Sequence, residues 1–184
     1  MTDDTARVGS RRPPADYPSA AFVDERPELG LRVWTQGPLF VVRWSSMMTA
    51  DSGDHLVAAI ARMPLPREHR HYIAIQPAHI LGMSGEDTIV AVRYATAVLR
   101  SVATFQLLVL GDGVGATLLR SSFRVLLTTA RTTGALLGRS TGNLVDRVFL
   151  TPNIAQALSR VHSYERGLDV STSLRALQDA GMLD

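Results

Sequence analysis

The stretch that decides the fold runs from residue 71 to residue 110. Its ends are two short apolar runs, His71-Tyr-Ile-Ala-Ile-Gln76 and Phe105-Gln-Leu-Leu-Val-Leu110, and a helix-length segment opening at Met83-Ser-Gly-Glu-Asp87 lies between them. Apolar runs of this length predict buried strands, so the unit is strand–helix–strand and indicates an α/β fold. It places the Ser84 hydroxyl at the beginning of a helix on the rim of the sheet, where α/β proteins commonly bind ligands.

The flanking sequence extends this unit in both directions. Upstream, strands at 31–35 and 39–44 are separated by Gln36-Gly37-Pro38, which predicts an antiparallel hairpin. Downstream, a short strand at 147–150 precedes Thr151-Pro152, a pair typical of a helix start. The sequence therefore predicts a mixed sheet of about five strands, in which the N-terminal β-hairpin is antiparallel, the later strands are largely parallel and helices cover the sheet.

Apolar spacing indicates which side chains face inward. The hairpin would bury Val33, Phe40, Val42 and Trp44. A helix that begins near Asp51 carries an apolar stripe of Leu56, Val57, Ile60 and Met63, and the helix after it shows Ile89, Val92, Thr96 and Leu99 at nearly helical spacing.

Composition divides the chain into three parts. Residues 1–28 carry four prolines, scattered charges and few large apolar groups, which predicts a disordered or loosely attached tail. Residues 29–163 form the α/β domain. Residues 164–184 are a helical extension whose last helix ends at Gly181 and packs on the domain or on a partner.

Residue usage excludes several kinds of chemistry. There is no cysteine, so disulfides and thiolate sites are absent. All 19 basic residues are arginine, so neither a Schiff base nor a P-loop lysine is available. The net charge of +2 does not indicate nucleic-acid binding. No run of eighteen apolar residues predicts a membrane span, and the acidic N-terminus is unlike a signal peptide, so we expect a cytoplasmic protein.

Ser84 has two interpretations. Asp87 follows it by three residues, the spacing of a capping box, so the hydroxyl would accept a hydrogen bond at the helix start. It could instead be a phosphorylation site or a nucleophile served by His79. Glu86 and Asp87 would repel a phosphate, and the sequence around Ser84 lacks the glycine spacing of a nucleophile elbow, so no catalytic residue is assigned.

Neither a cofactor nor a metal ion is predicted. Gly111, Gly113 and Gly115 follow a strand, but their spacing is not that of the dinucleotide fingerprint, and no acid occurs from 113 to 145. His69 and His71 could share one strand face, but no third ligand lies near them in sequence.

That acid-free stretch contains Arg120, Arg124 and Arg131, whose spacing aligns them on one helix face. They could form a solvated surface around the neighbouring apolar residues. They could instead bind an acidic protein, lipid headgroups or a second copy of the chain.

The order of elements resembles that of STAS-like domains, the group that includes bacterial anti-sigma-factor antagonists and the cytoplasmic ends of sulfate transporters. The resemblance covers roughly residues 29–162 and rests on the hairpin, the 71–110 unit and Val148-Phe-Leu-Thr-Pro-Asn-Ile-Ala-Gln-Ala-Leu158. In such antagonists an Asp-Ser or Asp-Thr pair begins the helix after strand three, and a partner kinase phosphorylates the hydroxyl of its second residue. Ser84 matches that position, whereas Met83 replaces the acid.

The resemblance implies a non-enzymatic, regulatory protein–protein interaction module of the signalling type, which binds another protein or a second copy of itself. Peripheral membrane contact stays open. Two alternatives are a carrier of a small ligand or lipid, with an apolar cavity beneath the helices of 117–140, and a serine hydrolase that uses Ser84 and His79.

Overall fold

The computed structural model describes residues 21–77, 85–111, 113–118, 120–121, 123–125, 128 and 146–183. For residues 85–88 it describes the backbone only. One mixed sheet contains six strands in chain order: β1 Phe22–Arg26, β2 Leu31–Gln36, β3 Leu39–Trp44, β4 His71–Pro77, β5 Thr104–Leu110 and β6 Val148–Thr151. The first three are antiparallel and the rest run parallel to β3. The predicted α/β class is confirmed.

Four helices have defined bounds: α1 Ala50–Ala61, α2 Gly85–Ser101, α3 Ile154–Tyr164 and α4 Val170–Asp179. Single 3-10 turns occupy Pro27–Leu29 and Arg67–His69. The described residues between 114 and 128 are also helical, and we refer to them as the 114–128 segment.

The predicted hairpin is confirmed. Val33 pairs with Val42 across β2 and β3, and Gly37 turns between the strands with a φ of 53°, a left-handed conformation that glycine adopts without steric cost. Because side chains alternate along a strand, Val33 and Val42 face one side of the sheet and their neighbours face the other. All four hairpin residues expected in the core are buried.

The sixth strand, β1, lies in sequence that composition assigns to the tail. Its residues Phe22–Arg26 pair with β2 along their whole length, yet four of the five are exposed. Backbone hydrogen bonds and a few polar contacts therefore hold β1, including the pair of Asp24 with His55 on α1, 3.0 Å apart. Such a strand lacks the alternation of apolar and polar residues from which strands are predicted.

Helices cover both faces of the sheet. On the first face, α1, α2 and Ala116 of the 114–128 segment join one buried cluster with Val42 and Tyr72. On the second face, α3 and α4 cover Trp34, Val41 and Ile73. The side chains of Leu177 and Met182 have no exposed surface, so the extension after residue 163 packs on the domain itself.

The start of α3 differs from the prediction. Thr151 belongs to β6, and the N-cap is Asn153, whose side chain accepts a hydrogen bond from the backbone N–H of Gln156. The prediction of Thr151 as cap was wrong because β6 continues through that residue. Asn153 makes the same kind of bond two positions later.

The first two helices of the first face approach each other at a glycine. Gly53 of α1 is buried against the ring of Tyr94 on α2, and the Tyr94 hydroxyl donates a 2.7 Å hydrogen bond to Asp54 Oδ1. That hydrogen bond is the largest of several influences that raise the pKa of Tyr94. A side chain at position 53 would occupy the space that the ring fills.

Candidate interaction surface

The outward side of α2 carries the residues that have the apolar spacing noted in the sequence. Ile89 is 71% exposed and Val92 is 60% exposed, whereas Tyr94 and Val98 are buried against α1 and the sheet. The helix therefore has apolar residues on two sides, and the side with the regular spacing is the one that solvent reaches. A helix with apolar residues all round normally packs against something on each side.

The 114–128 segment repeats this arrangement. Val114, Leu118 and Val125 are exposed by 60% or more, and their spacings of four and seven residues are those of one helix face. Ala116 and Phe123 contact the sheet from the opposite side. The exposed apolar side chains of α2 and of this segment thus point away from the same face of the sheet.

Positive charge accompanies these apolar side chains. Arg93 and Arg100 on α2 and Arg124 on the 114–128 segment are exposed. No acid occurs in the sequence from 88 to 111 or from 113 to 145, so none lies among the described residues of either helix beyond residue 88. We call this set the aliphatic–arginine face: Ile89, Val92, Arg93, Arg100, Val114, Leu118, Arg124 and Val125.

The other helices do not share this character. Exposed Asp51 and Asp54 lie on α1, and α3 and α4 present mainly Ser, Thr, Gln and Ala to solvent. Five of the eight exposed large apolar side chains among the described residues belong to the aliphatic–arginine face. The feature is therefore local to one side of the molecule.

The three arginines singled out in the sequence have different surroundings. Arg120 is half-buried and donates hydrogen bonds from Nη2 to the carbonyl oxygens of Val109 and Gly111, at 2.9 and 2.8 Å, so its guanidinium binds the carboxyl end of β5. Arg124 is exposed. Arg131 lies outside the described residues, as do Ser84 and His79, the predicted cap or rim site and its proposed base.

A buried polar cluster that the sequence analysis missed lies at the amino ends of β4 and β5. Glu165, which follows α3, places Oε1 2.8 Å from Nδ1 of His69 and 3.3 Å from Nε2 of His71. The other ring nitrogen of His71 is 2.9 Å from the Thr104 hydroxyl. The sequence shows His69 and His71 as neighbours, but it does not indicate that Glu165, 94 residues after His71, lies next to them.

This cluster joins a hydroxyl, an imidazole and a carboxylate in the order used by nucleophilic hydrolases. His71 has no exposed surface and Thr104 is 1% exposed, so a substrate cannot reach the hydroxyl in this structure. The cluster also lies at the opposite end of the strands from the carboxyl edge where α/β sheets usually bind ligands. Its role here is to attach the α3–α4 connection to the sheet.

The remaining described histidines also have partners. His55 contacts Asp24, and His162 Nδ1 is 2.8 Å from the carbonyl oxygen of Leu168. Among the described residues, no group of three His, Cys, Asp or Glu side chains is arranged to hold a metal ion. In the same part of the chain, no helix combines the length and apolar character needed to cross a bilayer.

A groove of about 340 Å³ opens between β1, the β2–β3 turn and the end of α1. Its floor includes the buried side chains of Val33 and Phe40, and Phe22 forms an exposed wall. Asp24 and Arg62 supply charged groups at its edge. This groove is distant in sequence from the 117–140 region where an apolar cavity was predicted.

No family model, curated protein or solved structure matches this chain in the comparisons made with known proteins. The resemblance to STAS-like domains therefore stays a prediction.

Proposed function

We propose that this chain is a non-enzymatic protein–protein interaction module of STAS-like type, with a regulatory role in the cytoplasm. The observation that carries the proposal is the aliphatic–arginine face. The partner is another protein, bound by α2 and the 114–128 segment. Phosphorylation of Ser84, which precedes Gly85 in sequence, would be a means of controlling that binding.

Burial energetics support an interface on this side. Side chains such as Ile89, Val92 and Leu118 each gain about 1.5–3 kcal/mol when they are fully buried, so three of them supply a useful driving force for association. Exposed apolar groups bordered by polar residues, present on α2 and on the 114–128 segment, are typical of binding surfaces in soluble proteins. The exposed arginines add selectivity for an acidic partner.

The test uses the full chain, tagged at one terminus, in cells that naturally produce it. We expect the variant Val92→Asp/Leu118→Asp to lose a specifically co-purifying protein by about tenfold or more, because a carboxylate cannot be buried unpaired in an apolar interface. The matched control is Gln178→Asp, at an exposed position of α4, which should still co-purify with that protein. Equal recovery with both variants would exclude this face, provided that circular dichroism shows both are folded.

A second candidate function, a carrier of a small ligand, is favoured by the groove at Phe22, Val33 and Phe40. Its floor is apolar and its edge is charged, the usual composition of a small-molecule site. Native mass spectrometry of the purified chain would detect a bound molecule. The assignment requires that this mass disappears in Phe40→Ala and persists in Val92→Asp/Leu118→Asp.

A further inference from the structure

We propose that the segment bound by the aliphatic–arginine face is an amphipathic helix with acidic residues flanking its apolar stripe. This inference rests on the proposed function and specifies the chemistry of the partner. Three observations carry it: the spacing of the exposed apolar side chains, the arginines beside them, and the absence of acids from the sequence of both helices beyond residue 88.

The exposed apolar side chains form two rows of helical spacing. On α2, Ile89 and Val92 are three residues apart, and on the 114–128 segment Val114, Leu118 and Val125 follow one another at four and seven residues. Both helices bury their inner sides in one cluster on one face of the sheet, so both rows point outward from the same layer. A third helix packs on such rows by placing its own side chains between them.

Arginines lie beside these rows. Arg93 follows Ile89 by four residues, which places it on the same side of α2, and Arg124 precedes Val125 on the 114–128 segment. A guanidinium binds a carboxylate through two parallel hydrogen bonds, whereas a basic partner would meet like charge at these arginines.

Two other occupants fit less well. In a symmetric pair of copies, both faces would bring the same arginines and no acid of their own into one interface, and like charges placed together are unfavourable. For an anionic bilayer, each arginine contributes about 1 kcal/mol, so Arg93, Arg100 and Arg124 would give only weak attachment. The face also lacks, among its described residues, the exposed aromatic side chains that interfacial helices use.

The experiment places a photo-crosslinking amino acid at position 118 or 92 of the full chain in the cells that produce it, with position 178 on α4 as control. Mass spectrometry then identifies the crosslinked segment. We expect a segment with apolar residues at helical spacing and a net negative charge. A synthetic peptide of that segment should bind the purified chain, and Arg93→Glu/Arg100→Glu/Arg124→Glu should weaken this binding by about tenfold or more.

The outcomes separate the two proposals. Equal crosslinking at positions 118, 92 and 178 would contradict the proposed function itself. A specific crosslink to a basic or non-helical segment, to lipid or to a second copy would leave the interaction role in place and overturn the acidic helix. Peptide affinity unchanged by the triple arginine reversal would also overturn it, because the carboxylates would then make no use of the arginines.

Discussion

Replacing Gly53 with alanine tests the closest approach between α1 and α2. A Cβ atom at this position would lie 2.4 Å from Cγ and Cδ2 of Tyr94 and 2.6 Å from Cε2, whereas carbon atoms in contact are about 3.5–4.0 Å apart. The ring therefore has to move by more than about 1 Å. It is 4% exposed and its hydroxyl donates to Asp54, so it has little room to do so.

The size of the effect follows from opposing contributions. Overpacking costs about 1–3 kcal/mol, and loss of the Tyr94–Asp54 hydrogen bond adds about 1 kcal/mol. Alanine favours the helix by about 1 kcal/mol relative to glycine. We therefore expect Gly53→Ala to lower the free energy of unfolding by about 2 kcal/mol, which corresponds to about 4–8 °C in Tm for a chain of this size.

Guanidinium unfolding followed by tryptophan fluorescence provides the assay, since Trp34 and Trp44 are both buried. In a Tyr94→Ala background the ring is absent, and there Gly53→Ala should become neutral or stabilising by up to about 1 kcal/mol. Gly113→Ala is the matched control, because a Cβ atom there meets nothing within 4 Å. The reasoning fails if Gly53→Ala stabilises the parent or is equally harmful without the ring.

Substitutions test four further sets of contacts. Glu165→Ala should lower the free energy of unfolding by about 3 kcal/mol because two histidines lose a buried carboxylate, with Glu165→Gln costing less; an unchanged denaturation midpoint would contradict this. Arg147→Ala should cost about 2 kcal/mol and speed hydrogen exchange at the C-terminal end of α2, because the guanidinium donates to the carbonyl oxygens of Leu99 and of Val102, which follows the helix. Arg120→Ala should cost about 1–2 kcal/mol, whereas exposed Arg124→Ala should change stability by less than about 0.5 kcal/mol; equal losses would argue against the distinction. Backbone and side-chain hydrogen bonds from Thr172 lower the pKa of Asp169 in the folded chain. Its contribution to stability is therefore present above the unfolded-state pKa near 3.8 and is lost as the pH falls below that value. The difference in denaturation midpoint between the parent and Asp169→Asn should accordingly shrink from pH 7 to pH 2.

Sequence patterns predicted the parts of the fold whose side chains face one way. The hairpin carries runs of apolar residues on both sides of a glycine turn, and the stripe of α1 places Leu56 and Ile60 in the core. The strand β1 was not predicted because its pairing depends on backbone groups that every residue possesses. The position of α3 was predicted, but its N-cap was not. Whether Thr151 or Asn153 caps the helix depends on where β6 ends.

The aliphatic–arginine face shows that helical spacing alone does not indicate which side of a helix meets the sheet. Ile89 and Val92 have the spacing of an inward stripe, yet Tyr94 and Val98 contact the core instead. Periodicity reports that a side of a helix is apolar without reporting which apolar side meets the sheet. The cluster at His71, Thr104 and Glu165 was beyond prediction for another reason, since its members come from three elements far apart in sequence.

The covering of the second face has a consequence for synthesis of the chain. Strands β2 to β5 and the helices of the first face are complete before residue 154 emerges, so one side of the sheet can be closed while Trp34, Val41 and Ile73 still face water. Among the described residues, the helices that shield that side belong to residues 154–183. A nascent chain therefore exposes a sheet-sized apolar area until late in translation, and we expect it to need chaperone protection there even though the finished protein buries the same residues completely.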